Sequence, residues 1–193
     1  MKVQGATAVV KALEDEGVLY TFGIPGTHNI ELYDALEDSG QIRSILVTDE
    51  QSASFMADAV SRTSDSIGVV NLVPGPGVTH ALSGIAEAFM DNIPLLVLAC
   101  GVRTDTGKMY QLHDIDQLAL LKPVCKEVFH VVSAGDIYHT VRTAVKIARS
   151  RTPGPVAVEI PANHYLTTFD ITGFVYNKPP YIPSLPKSDD MLR

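Results

Sequence analysis

Short apolar runs alternate along this chain with segments whose apolar positions recur every three to four residues. Ile67 to Leu72, Pro94 to Ala99 and Val156 to Ile160 are nearly continuous apolar runs; Val18 to Phe22, Ile42 to Val47 and Lys126 to Val132 are shorter or more mixed. Runs of this length, bounded by Gly, Pro or polar residues, predict strands buried on both faces. Helical spacing appears in Val9, Ala12 and Leu13, with Gly17 placed to end that helix, and again in Ile30, Tyr33 and Leu36. It returns in Val78, Ala81, Leu82, Ile85, Ala88 and Phe89, and in Ile137, Val141, Ala144, Val145 and Ala148. Thr48 and Gln51 stand at capping-box spacing, which predicts a helix beginning at Thr48. Six strands separated by helices predict an α/β fold, three α/β/α layers around a central, mostly parallel six-stranded sheet. The stretch from Arg103 to Pro123 follows neither period and predicts a loop.

The alternation stops near Thr172. Pro179, Pro180, Pro183 and Pro186 fall in a polar, aperiodic tail. This divides the chain into a domain over 1–170 and a Pro-rich linker over 171–193, directed toward a central domain that the chain does not contain. A length of 193 residues is enough for one domain to bury a core without disulfides. The net charge of −7, with no lysine or arginine cluster, argues against nucleic acid as a partner. The apolar run from Ile93 to Val102 is too short to span a bilayer, so no membrane partner is expected. Met1-Lys2-Val3-Gln4 lacks a secretory h-region, and Cys100 and Cys125 sit among apolar neighbours. Both observations fit a cytoplasmic protein with buried, reduced thiols.

Three strand-to-helix turns carry the candidate chemistry: Pro25-Gly26-Thr27-His28, Val47-Thr48-Asp49-Glu50, and Pro74-Gly75-Pro76-Gly77. Ligands of open α/β sheets bind outside the carboxyl ends of the strands, where all three turns fall. Glu50 reads in two ways. It is either a first-turn acid that complements the helix dipole, or a carboxylate that hydrogen-bonds or protonates a ligand heteroatom. The glycines of the third turn allow close approach of a ligand or positive φ, although a tight turn would need them too. Gly75, Gly77 and Gly84 are wrongly spaced for a dinucleotide fingerprint, and no GK[ST] makes a phosphate loop. His28, His80 and His113 are isolated, without HxxxH, HExxH or ExxH spacing, so no protein-borne metal site is expected. Spacing alone leads to an α/β ligand binder.

Seven motifs, in order from about Gly5 to Asp170, add a resemblance. Phe22-Gly23-Ile24-Pro25-Gly26 looks like FGxPG, Asp49-Glu50-Gln51-Ser52-Ala53 like HEQGA, and Ala57-Asp58-Ala59-Val60-Ser61-Arg62 like AxGYAR. Gly75-Pro76-Gly77-Val78-Thr79-His80 resembles GPGATN, and Gly84-Ile85-Ala86-Glu87-Ala88 resembles GIAxA. Asp91-Asn92-Ile93-Pro94-Leu95 resembles DxxPL, and Pro153-Gly154-Pro155-Val156 with Glu159-Ile160-Pro161 resembles RPGPVxxxIP. Together they resemble the N-terminal pyrimidine-binding domain of thiamine-diphosphate enzymes of the acetolactate synthase and benzoylformate decarboxylase group.

The resemblance implies a role for each turn. In that family the matching glutamate hydrogen-bonds N1′ of the cofactor's aminopyrimidine and so enables loss of the thiazolium C2 proton; here it is Glu50. Pro25, Gly26, Gly75, Pro76 and Gly77 would line the crevice beside the pyrimidine, while Thr27, His28 and His113 would face a 2-oxo acid substrate. His113-Asp114 stands where the synthases carry the Gln-Glu of FQE, and Asp49 replaces their histidine. These departures keep a benzoylformate decarboxylase-like 2-oxo acid decarboxylase, or one subunit of a two-chain decarboxylase, beside acetolactate synthase-like carboligation. The family binds Mg2+ and the diphosphate through a GDG…N motif in a separate domain, and that motif is absent from this sequence. The chain is therefore expected to be inactive alone and to work as part of a homodimer or homotetramer. FAD binding stays open, since it would involve the central domain. A non-enzymatic α/β assembly module is the alternative from another class.

Overall fold

The apolar runs form strands buried along their whole length. β4 (Gly68–Leu72), β5 (Leu95–Gly101) and β7 (Pro155–Pro161) expose no residue on either face. The computed structural model describes residues 2–170, so the linker expected over 171–193 lies outside the described residues. With β2 (Tyr20–Gly23), β3 (Arg43–Leu46) and β6 (Glu127–His130) these strands make one six-stranded sheet, ordered β3-β2-β4-β5-β7-β6. Every pairing in it is parallel, with registers such as Phe22↔Val70, Val70↔Val97 and Leu98↔Val158. The expected three-layer α/β/α fold is present.

Alternation along β5 assigns the two faces. Leu96, Leu98 and Cys100 pack in one core with α1 (Gly5–Asp15), α2 (Ile30–Glu37) and α6 (Ile137–Arg149). Leu95, Val97 and Ala99 pack in the other with α3 (Glu50–Thr63) and α4 (Pro76–Met90). Helices α3 and α4 approach closely because Gly84 has no side chain: a β-carbon there would lie 2.3 Å from Ser54 Oγ. Helix α3 also lies tight on the sheet, and a β-carbon on Gly68 would meet the Ala57 carbonyl oxygen at 1.8 Å. On the other face Arg142 Nε donates to Glu16 Oε1 at 2.6 Å, joining α6 to the end of α1.

Three elements have no signature in the hydrophobic pattern. A two-stranded antiparallel ribbon joins β1 (Lys2–Gln4) to β8 (Thr168–Asp170). The short helix α5 (Gln117–Leu121) interrupts the stretch that reads as loop, and the short helix α7 (Ala162–Leu166) follows β7. The N-cap of α3 falls one residue later than the capping box predicts. Asp49, with extended backbone, is its N-cap, and Asp49 Oδ2 accepts from the Ser52 amide at 3.0 Å. Asp49 takes the N-cap role with its own N3 amide, Ser52, so Thr48, whose capping-box partner would be the Gln51 amide, stays outside the helix and exposed.

The strand order places a topological switch point between β2 and β4. The chain leaves β2 through α2 toward β3 and leaves β4 through α4 toward β5, and the two departures open a crevice at the carboxyl edge.

Candidate functional site

Two of the three turns converge on one side chain, Val73, and the remaining one reaches them through Glu50. A β-carbon on Gly26 would lie 2.7 Å from Val73 Cγ1, and one on Gly77 would lie 2.8 Å from Val73 Cγ2. The Gly77 position also lies 3.5 Å from Glu50 Oε1. Glu50 occupies the first turn of α3 with its side chain 13% exposed, a carboxylate mostly withdrawn from solvent but open on one side. Gly75 is the N-cap of α4 at φ +66°, a conformation that favours glycine, and a β-carbon there would strike the His113 carbonyl oxygen at 2.8 Å. Pro25 and Pro76 are exposed at the rim.

Buried polar residues brace the turns, and the hydrophobic pattern did not point to them. Asn29 is fully buried; its Oδ1 accepts from the Gly26 amide at 2.7 Å, and its Nδ2 donates to Ile24 O and Asn71 Oδ1, each at 3.4 Å. Asn71 is the polar interruption of the Val69-Val70-Asn71-Leu72 run, a signal that a sequence reading could have used. Its Nδ2 and the Tyr33 hydroxyl are buried without a hydrogen-bond partner among the described residues. Burial, and then the negative charge of Glu50, pushes ionisation of the Tyr33 phenol well above its usual range. The crevice therefore holds a neutral donor group within the field of its carboxylate.

His28 and His113 also meet here. Their ring centroids are 5.5 Å apart, His113 has φ +67°, and His113 Nδ1 is buried without a partner among the described residues. Burial and the neighbouring His113 hold the His28 imidazole below its ordinary value, against an opposing effect from Glu31. Thr27 is exposed, with Oγ1 3.2 Å from His28 Nδ1. His80 approaches from the first turns of α4, its Nδ1 3.6 Å from Glu50 Oε2 and 3.8 Å from Asp49 Oδ1. The donor atoms of Asp49, Glu50 and His80 lie within 4.8 Å of one another, a grouping that no spacing motif describes because it joins two helices. A cavity of about 300 Å3 lies elsewhere, against β6 and α6, and includes none of the turn residues. Chemistry, more than concavity, marks the crevice at Glu50.

Residues 3–120 match the sequence model of thiamine pyrophosphate enzymes, N-terminal TPP binding domain. The chain belongs to this family. It is 38% identical to the acetolactate synthase large subunit of Haemophilus influenzae over 181 residues, which cover 94% of this chain and 31% of that protein. It is 41% identical over 159 residues to the acetolactate synthase isozyme 3 large subunit of Escherichia coli, covering 82% of this chain and 28% of that one. Similarity extends to 2-hydroxyacyl-CoA lyase 2 of Danio rerio, 38% identical over 81% of this chain and 25% of that protein. The chain thus spans at most about a third of these relatives. Family membership accounts for the ordered motifs and for thiamine pyrophosphate as the ligand class of the domain. Among the described residues no helix is long and apolar enough to cross a membrane.

Proposed function

We propose that this chain supplies the pyrimidine-binding half of a thiamine-diphosphate enzyme that acts on 2-oxo acids by acetolactate synthase-like carboligation. The carrying observation is Glu50: a carboxylate in the first turn of α3, at a switch-point crevice, beside a glycine whose missing side chain leaves its Oε1 accessible. Its surroundings fit an aminopyrimidine. A flat ring needs closely packed backbone turns beside it, supplied by Gly26 and Gly77 against Val73 and by Gly75 against His113, and it needs a polar edge partner, supplied by Glu50. The orphaned Tyr33 hydroxyl and Asn71 amide are further buried donors at this edge of the sheet.

When bound, thiamine diphosphate supplies the carbon nucleophile and electron sink for decarboxylation and carbon–carbon bond formation. Glu50 holds a proton against the N1′ edge of the pyrimidine and exchanges it there. Pro25, Gly26, Gly75, Pro76 and Gly77 orient the ring, while Thr27, His28 and His113 face the 2-oxo acid. A partner domain holds Mg2+ and the diphosphate, and the working enzyme is a cytoplasmic homodimer or homotetramer in which this chain alone does not turn over substrate. The His28–His113 pair favours a second reading, a 2-oxo acid decarboxylase, because imidazoles at the crevice can protonate a carbanion in place of a second substrate. An assembly module would have no use for a carboxylate held at such an opening.

Glu50→Gln in the assembled enzyme should slow C2-proton exchange of bound thiamine diphosphate by more than ~100-fold, since general acid–base partners typically contribute that much. An unchanged exchange rate would remove Glu50 from the mechanism. Product analysis with pyruvate separates the two readings: acetolactate supports the transferase, acetaldehyde the lyase.

A further inference from the structure

The third turn is held by a side chain that none of the motifs contains. Gln117, the first residue of α5, is only 2% exposed, and its carboxamide reaches three separate elements. Gln117 Oε1 accepts from the Gly75 amide at 3.2 Å. Gln117 Nε2 donates to Cys100 O at 2.8 Å, where β5 ends, and to Glu159 Oε1 at 2.6 Å in β7. Glu159 Oε2 in turn lies 2.5 Å from His130 Nδ1 in β6. One amide and one acid therefore link β5, β7 and β6 to the turn that follows β4.

Chemistry fixes the orientation of this amide. A primary amide has one acceptor oxygen and two N–H donors, and Gln117 faces one donor, the Gly75 amide, and two acceptors, Cys100 O and Glu159 Oε1. The flipped amide would set a donor against a donor and an acceptor against two acceptors. Only glutamine can satisfy all three partners while remaining neutral.

We propose that Gln117 is a positioning residue, whose carboxamide fixes the Gly75 amide and thereby the placement of the Gly75-Pro76-Gly77 wall beside Glu50. This rests on the reading of that turn as a wall of the pyrimidine crevice. Gly75 carries the left-handed φ of the turn and packs against the His113 backbone, and Gln117 holds its amide. Because Gln117 also anchors the start of α5, it places the His113 segment and the glycine turn with the same group.

The experiment reads the Gly75 amide by NMR in the 193-residue chain without cofactor, so its outcome is independent of the Glu50→Gln test. In Gln117→Leu the hydrogen-exchange rate at Gly75 should rise at least ~10-fold over wild type, the loss expected for one buried hydrogen bond. Unchanged protection at Gly75 would overturn the proposal. Gln117→Glu keeps the shape, carries the test if the leucine variant fails to fold, and has a signature that packing alone would not produce. An ionised carboxylate at position 117 would oppose Glu159 and Cys100 O, whereas the protonated acid can still donate once and accept from Gly75. The titratable groups around this position are Glu159, His130 behind it, Cys100, and Asp116 and His113 in the preceding loop. Reporting the variant-to-wild-type ratio at each pH removes the part of their titration that the two proteins share. That ratio should fall toward unity as pH drops from about 8 to about 5, because burial raises the pKa of a carboxyl group. A ratio that is elevated but independent of pH would assign Gln117 a packing role only and overturn the proposal.

Discussion

The imidazoles of His28 and His113 face each other 5.5 Å apart with their planes tilted by 39°. Burial is the larger cause that lowers the His28 pKa and His113 is the second, with Glu31 opposing both. His28 should therefore titrate below 6.5, its ordinary value, in an NMR titration of the imidazole Cε1–H. His113→Gln should return the midpoint only part of the way, since burial remains. The linkage follows from the sign. A group with a depressed folded pKa contributes stability that is full above 6.5 and is lost as pH falls through the folded value. A His28 midpoint at or above 6.5 would contradict the pairing.

The cap of α3 gives a contrast between neighbours. Asp49→Ala removes the oxygen that holds the Ser52 amide and should cost about 1 kcal/mol in thermal or urea unfolding. Thr48→Ala should cost less than ~0.5 kcal/mol, as an exposed position outside the helix. The reverse order would return the cap to Thr48.

Gly68 is where α3 rests on the sheet. A β-carbon there meets backbone, Ala57 O at 1.8 Å and Ala57 C at 2.4 Å, and neither atom can swing away. Gly68→Ala should destabilise by more than ~3 kcal/mol or prevent folding. Gly40→Ala, with nothing within 4 Å of the added carbon, should stay within ~0.5 kcal/mol. Similar urea midpoints for the two variants would mean that α3 does not sit where it is described.

Burial pushes the Cys125 thiol up from 9.0 to about 12, and Cys100 higher still. The thiolate is the reactive form, so neither cysteine should react with Ellman's reagent at pH 8 until the chain is unfolded. The Cys125 contribution to stability is complete below pH 9.0 and is lost as pH rises through about 12, because only the unfolded chain ionises it in that window. Rapid labelling of either thiol in the folded chain would place it at the surface.

The strands were legible because β4, β5 and β7 are buried on both faces, which leaves a signal that local sequence carries by itself. The crevice was legible in its turns, since Pro25-Gly26 and Gly75-Pro76-Gly77 are punctuation that few backbones need. Its bracing was not. Gln117 sits in a stretch with no period, and its partners Gly75, Cys100 and Glu159 become neighbours only when the sheet assembles. Asn29 reads as an ordinary helix-start residue until the Gly26 amide is seen on its side chain. The grouping of Asp49, Glu50 and His80 spans two helices, so residue spacing could not reveal it. The β1–β8 ribbon joins segments too short and too far apart for any pattern to register.

That ribbon has a mechanical consequence. Lys2 pairs with Asp170, Val3 with Phe169 and Gln4 with Thr168, antiparallel, so the outermost pair is also the point where tension from either end would arrive. Force applied there opens the ribbon one bond at a time, as a zipper, and does not load the six-stranded sheet in shear. Under traction on residues 2 and 170 the three pairs are loaded in series from Lys2–Asp170 inward, and the crevice at Glu50 lies on neither strand.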